Sequence, residues 1–150
     1  MEHDLALPRR ELLSGLSGHV LEVGAGNGMN FGHYPGTVEE VVAVEPEPYL
    51  RARAQDATHD AAVRIVVEDA LADELPHEPG SFDAVVACLV LCSVPDSKRA
   101  VAELRRVLKS GGELRFLEHV SSSRSRKARI QHTFGPRDLA RSRRRMPLRA

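Results

Sequence analysis

Short apolar runs recur along the chain at His19 to Val23, Val41 to Val44, Val63 to Val67, Ala84 to Ala87 and Leu114 to Leu117, with little of the alternation that marks a strand facing water. Runs of this kind predict strands buried on both faces, as in a parallel sheet. The segments between them carry helical signals. Leu5, Leu12, Leu13 and Leu16 around Pro8 predict a short leading helix closed by Gly15 and Gly18, and helical composition resumes from Pro48 to about His59. Val101, Leu104, Val107 and Leu108 share one helical face. Asp96 or Ser97 stands ready to cap its start, Lys109 falls in its last turn and Gly111-Gly112 lies beyond its end. A loop or short helix through Asn30, His33 and Tyr34 stops at Pro35-Gly36. Strand alternating with helix predicts an α/β fold, with five strands in a parallel sheet covered by helices on both faces.

At 150 residues the chain is one domain's worth. Its formal net charge of zero conceals a split: residues 124–150 hold nine Arg and one Lys against the single acid Asp138, and the remainder is correspondingly acidic. The break at Ser121-Ser122-Ser123 divides a folded domain, 1–123, from a basic tail, 124–150, in which Pro136, Pro147 and the run Arg143-Arg144-Arg145 predict disorder rather than an extension of the core. The longest apolar stretch, Ala84 to Val94, falls well under the roughly 18 residues of a membrane span, and Glu2 and Asp4 stand where a leader would be basic. A soluble, cytoplasmic protein is therefore expected. Cys88 and Cys92, four positions apart in that apolar run, suit reduced buried thiols better than a disulfide framework or a metal site.

Candidate chemistry gathers at Val20-Leu21-Glu22-Val23-Gly24-Ala25-Gly26-Asn27-Gly28, where a strand runs into a turn with glycines at alternate positions. Such a loop folds tightly and brings its backbone N–H groups toward a nucleotide-like ligand. A dinucleotide fingerprint needs a further Gly or Ala three positions after its second glycine, and that position is Met29. Acids end the first three strands at Glu22, Glu45 and Asp69. His119 stands just past the fifth, at the carboxyl edge where ligands bind in such sheets.

The acidic-then-glycine stretch from Glu22 to Gly28 resembles the first motif of class I S-adenosylmethionine-dependent methyltransferases, which share a Rossmann-like fold. Phe82-Asp83-Ala84-Val85-Val86 and Leu104 to Leu114, with its Gly111-Gly112 turn, are similar to the family's fourth strand and to its following helix and fifth strand. Asn30 to Pro35, Leu89 to Pro95 and Leu117 to Val120 resemble the small-molecule (type 11) branch of thiol and phospholipid methyltransferases. The resemblance implies S-adenosylmethionine as cofactor. Glu22 and the backbone of Gly24, Ala25, Gly26 and Gly28 would hold its methionine part, Glu45 its ribose, and Asp69 with Ala70 its adenine, with Asn30, Pro46, Cys88 and Leu89 completing the set. It also implies methyl transfer to a small thiol, amine or hydroxyl, His119 serving as proton acceptor and His33 and Tyr34 as part of a lid.

On the family pattern two further strands follow the fifth. Arg137 to Ala150 does not resemble them, and its Arg, Pro and Ala bias matches out-of-frame reading of a G+C-rich coding sequence. The expectation is a truncated or frame-shifted C-terminus that leaves the fifth strand as an open edge. The rivals are a nicotinamide-dependent oxidoreductase, which Met29 opposes, and a cofactor-binding remnant without turnover. A specific nucleic-acid partner is not expected. Cys88-Leu89-Val90-Leu91 lacks the Asn/Asp-Pro-Pro-aromatic motif of base-amine methyltransferases, and six Phe and Tyr with no Trp leave little stacking surface.

Overall fold

Each of the five apolar runs becomes a strand in the computed structural model, which describes residues 6–88, 90, 93–122 and 125–134, with side chains as far as Leu117. The strands are β1 (Gly18–Val23), β2 (Val38–Val44), β3 (Arg64–Glu68), β4 (Phe82–Cys88) and β5 (Leu108–Ser122). They lie in the order β3-β2-β1-β4-β5, all parallel. Neighbouring residues on β1 point to opposite faces, yet Val20 and Leu21 are both fully buried. That requires a layer on each side, and the helices supply it. From α1 (Ala6–Leu13) and α2 (Pro48–Ala57), Leu12, Leu13 and Ala54 pack with Val20, Val41 and Val86 on one face. From α3 (Ser97–Val107), Ala100, Leu104 and Val107 pack with Leu21, Val85 and Leu114 on the other. The α/β architecture read from the apolar pattern is the one observed.

The order of the strands positions the site. From β1 the chain moves outward through β2 and β3, then returns to place β4 on the other side of β1. The connections leaving β1 and β4 therefore diverge, and a crevice opens at the carboxyl ends of these two strands.

Local chemistry sets the helix starts. Pro48 opens α2 behind Glu47, whose carboxylate accepts from Leu50 N at 2.6 Å. Asp96 caps α3, its Oδ1 accepting from Arg99 N at 3.0 Å. Asp96→Ala is expected to cost about 1 kcal/mol of stability, a Tm drop of a few degrees by thermal denaturation; an unchanged Tm would show the cap to be idle.

The end of α3 differs from the sequence expectation. The sequence carries Leu108 and Lys109 into the helix, but it stops at Val107 and Leu108 opens β5, pairing with Phe82. The Lys109 ammonium instead lies 3.2 Å from Asp83 Oδ1. A second difference is at the edge. Residues Ser125–Phe134, assigned to the basic tail, form β6, which pairs antiparallel with β5 from Ser122↔Ser125 to Glu113↔Phe134. The outer side of the fifth strand is thus not an open edge, one antiparallel strand being added to the five parallel ones that the sequence predicts. Residues 135–150 lie outside the described residues. Among the described residues no helix is long and apolar enough to cross a membrane.

Candidate functional site

β1 delivers its chain into the crevice through Gly24 and Gly26, both left-handed at φ +65° and +59°. Each needs glycine for a different reason. A Cβ on Gly24 would lie 2.2 Å from Cγ2 of Val90, so the backbone there packs directly on the segment after β4. A Cβ on Gly26 would meet nothing within 4 Å, because this glycine faces open space. The loop's N–H groups are less available than the sequence suggested. Ala25 N donates to Val44 O, Gly26 N to Glu45 Oε2 and Gly28 N to Ala25 O. What the loop offers a ligand at Gly26 is a surface without side chains. Gly28 is off the wall, and a Cβ there would press on Ala57 and the Phe31 ring.

The crevice encloses a cavity of about 410 Å³, within the size range of small-ligand sites. Glu22, Gly24, Ala25, Gly26 and Asn30 line it from the β1 side, Glu45 and Pro46 from the end of β2, Ala70 from beyond β3 and Cys88 from the end of β4. The loop beyond β3 is held down by α3. Arg106 donates to Leu75 O and His77 O at 3.0 and 2.7 Å, and Glu103 accepts from Leu75 N at 2.9 Å.

Glu22 is 1% exposed. Its two oxygens accept from Asn30 Nδ2 and Tyr34 Oη, each at 2.8 Å. Burial pushes its pKa up to about 7, the Tyr34 and Asn30 hydrogen bonds and the nearby Arg9 charge opposing the rise. Burial likewise pushes the Tyr34 hydroxyl well above its ordinary value, and the Glu22 charge adds to the effect. Tyr34 is therefore part of the core, supporting Glu22 from behind, and off the cavity wall. This corrects its placement in a lid.

Glu45 is anchored as firmly. Oε2 accepts from Gly26 N at 2.8 Å and Oε1 from Glu47 N at 3.1 Å, while its own N–H donates to Glu68 O. Arg51 braces the same turn, its Nη1 donating to Glu45 O and Pro46 O. That guanidinium also lies 3.2 Å from Asp69, whose side chain is 67% exposed. Asp69 is off the wall, contrary to its expected place beside a ligand. The acid of this stretch that lines the cavity is Asp73.

His33 is half-buried and off the wall, and burial with Arg10 and Arg9 nearby lowers its pKa. The backbone of His119 lies two residues beyond the last β4–β5 pair, Cys88↔Leu117, at the carboxyl edge of the sheet; its side chain is outside the described residues, as are Leu89 and Cys92. Sequence reasoning missed Arg9. Its Nη1 donates to Asn30 Oδ1 at 2.8 Å and approaches Cys88 Sγ at 3.4 Å. One arginine of the Arg9-Arg10 pair among leading-helix leucines gives no signal of its own. Met29, which stands where a dinucleotide loop would have a glycine, also lines the cavity.

Residues 21–116 match the model of a methyltransferase domain family. Human thiol S-methyltransferase TMT1A is 39% identical over 132 residues, 79% of this chain and 52% of that protein. The phosphatidylethanolamine N-methyltransferase of Cereibacter sphaeroides is 30% identical over 131 residues, 83% of this chain and 63% of that protein. The crystal structure of the YcgJ protein from Bacillus subtilis superposes with a TM-score of 0.69 at 24% identity, covering 81% of this chain and 52% of that one. The chain spans about half the length of the thiol methyltransferase relatives it matches.

Proposed function

We propose, for a chain that belongs to the methyltransferase domain family matched over residues 21–116, that the cavity binds S-adenosylmethionine and that its methyl group passes to a small-molecule acceptor. The observation that carries this reading is the charge of the wall. Glu22, Glu45 and Asp73 face the cavity against Arg9, the only basic side chain on the wall among the described residues. A sulfonium compound bearing an ammonium group is drawn to such a wall, whereas a dinucleotide's diphosphate is repelled by it.

When bound, S-adenosylmethionine supplies a methyl group made electrophilic by the sulfonium charge. The protein's part is to bind, orient and move a proton. Glu45, with each oxygen pinned by one backbone N–H, keeps lone pairs suited to the ribose hydroxyls. Glu22 suits the methionine ammonium. Ala70 and Ala72 leave room for a flat purine, and Asp73 rather than Asp69 is the acid positioned for that end. His119, at the carboxyl edge, is the proton acceptor of this reading.

The thiol and phosphatidylethanolamine relatives support a thiol or amine acceptor. A cytoplasmic location belongs to the same proposal. Thermal denaturation with S-adenosylmethionine, S-adenosylhomocysteine and NAD tests the cofactor. The first two are expected to raise Tm and NAD to leave it unchanged; stabilisation by NAD alone would overturn the assignment. Mass-spectrometric detection of methylated product from small thiols and amines then tests transfer.

A further inference from the structure

The two edges of the sheet differ in charge. β6 carries Arg126, Lys127 and Arg129 with no acid, so a second copy laid against it would set like charges together. β3, the other edge, reads Arg64-Ile65-Val66-Val67-Glu68, with a base and an acid equally far from a central valine. Edge strands that resist self-pairing carry a proline, a bulge or a charge within the strand. β3 has none of these; its register with β2 is regular and its charges stand only at its ends.

The backbone of β3 fixes the geometry open to a partner. Glu68 O accepts from Glu45 N, so Glu68 faces β2, and by alternation Val66 and Arg64 do so too. Ile65 and Val67 therefore turn their N–H and C=O groups outward, where no strand among the described residues meets them. Their side chains pack on the face covered by α1 and α2. Val66 points to the other face, is half-buried and joins neither buried layer. The flanking charges are half used. Arg64 Nε lies 3.0 Å from Glu40 and Glu68 Oε2 lies 2.9 Å from His77, contacts that employ neither the Nη atoms of Arg64 nor Oε1 of Glu68.

We infer that β3 is a self-association surface, pairing antiparallel with β3 of a second copy about a twofold axis at Val66. Ile65 then exchanges two hydrogen bonds with Val67 of the partner subunit, and Val67 with Ile65 of the partner subunit, satisfying the outward groups. The two Val66 side chains cover each other at the axis. Arg64 faces Glu68 of the partner subunit, which sets the guanidinium between that carboxylate and its own Glu40. Centring the axis on Ile65 or on Val67 also aligns outward groups, but it sets Arg64 or Glu68, respectively, against Val66 of the partner subunit. Charge therefore selects the Val66 register. Because the paired strands run in opposite directions, the two cavities open at opposite edges of one continuous sheet.

Sedimentation equilibrium of the full chain tests this. Five residues a side make a small interface, and a Kd of about 1 to 100 µM is expected. Arg64→Glu and Glu68→Arg each set like charges across the axis, and each alone is expected to weaken association at least about tenfold. Mixed in equal amounts, the two variants face each other with opposite charges and are expected to recover the association of the unaltered protein. Val66→Cys supplies the answer should either variant fail to fold. A non-hydrogen-bonded antiparallel pair brings its Cα atoms to about 4.5 Å, within disulfide range, so oxidation by a small disulfide is expected to give a dimer linked between the two positions 66, identified by mass spectrometry. An unaltered chain that stays monomeric at about 1 mM, well above the expected Kd, would overturn the inference. Self-association that neither charge variant changes, or that yields no peptide linked at position 66, would overturn it equally.

Discussion

Glu45→Ala is expected to weaken S-adenosylhomocysteine binding by about a hundredfold to a thousandfold, the largest effect of any single substitution in the cavity. Two losses combine. The ribose hydroxyls lose a charged acceptor, and Gly26 N and Glu47 N lose the carboxylate that ties the glycine turn to the end of β2. Without that tie the Cβ-free surface at Gly26 is no longer held against the ligand. Glu45→Gln separates the two, because an amide retains one acceptor oxygen but presents an NH₂ to one of the two backbone donors. Its affinity is expected to fall between those of Glu45→Ala and the unaltered protein. Because 5′-methylthioadenosine carries the same ribose, it is expected to lose affinity as well. Calorimetry showing unaltered affinity in Glu45→Ala would remove Glu45 from the site.

Much of the fold could be read in advance because strands buried on both faces record their burial as uninterrupted hydrophobicity, and α3 records its single buried face as Ala100, Leu104 and Val107 at helical spacing. Where burial is not the deciding force the reading failed. Leu108 continues the helical face in sequence, but in the structure it is already paired with Phe82. Ser125–Phe134 joins the sheet through a ladder of backbone hydrogen bonds that any segment without proline can make, so its basic composition gave no warning. The same division holds at the site. Glu22 and Glu45 reach the cavity wall because each stands at the end of a strand beside the switch point, a position set by topology. Asp69 also ends a strand, but Arg51 draws it outward, and Asp73 takes the wall. Partners decide between such acids, and a partner in a different element leaves no trace in local sequence. Arg9 escaped notice for that reason, since its significance comes from Asn30, Cys88 and Glu22, all distant in the chain.

Glu22 is expected to make the ligand-free protein less stable as pH rises toward neutrality. Burial raises its folded pKa from 4.5 to about 7, against the opposing pull of Tyr34, Asn30 and Arg9. In the unfolded chain the carboxyl loses its proton near pH 4.5, so between that pH and about 7 the native state binds more protons than the unfolded one. The slope of unfolding free energy with pH is therefore negative in this window. Glu22's contribution is fully present below pH 4.5, declines through the window and levels off above 7, with an upper bound on the order of 3 kcal/mol. Glu22→Gln keeps an acceptor for the Asn30 amide and an NH₂ that Tyr34 Oη can accept, but has no charge to desolvate. Urea denaturation from pH 5 to 8 should show the variant gaining stability relative to the unaltered protein as pH rises. His33, Asp83 and Glu103, whose pKa values are all lowered, titrate in both proteins and cancel in the difference. Parallel profiles would refute the assignment. A ligand ammonium against Glu22 reverses the balance, because it favours the ionised carboxylate. Binding near pH 7 should then release a fraction of a proton, visible as a dependence of the calorimetric heat on buffer ionisation enthalpy, and Glu22→Gln should abolish that dependence.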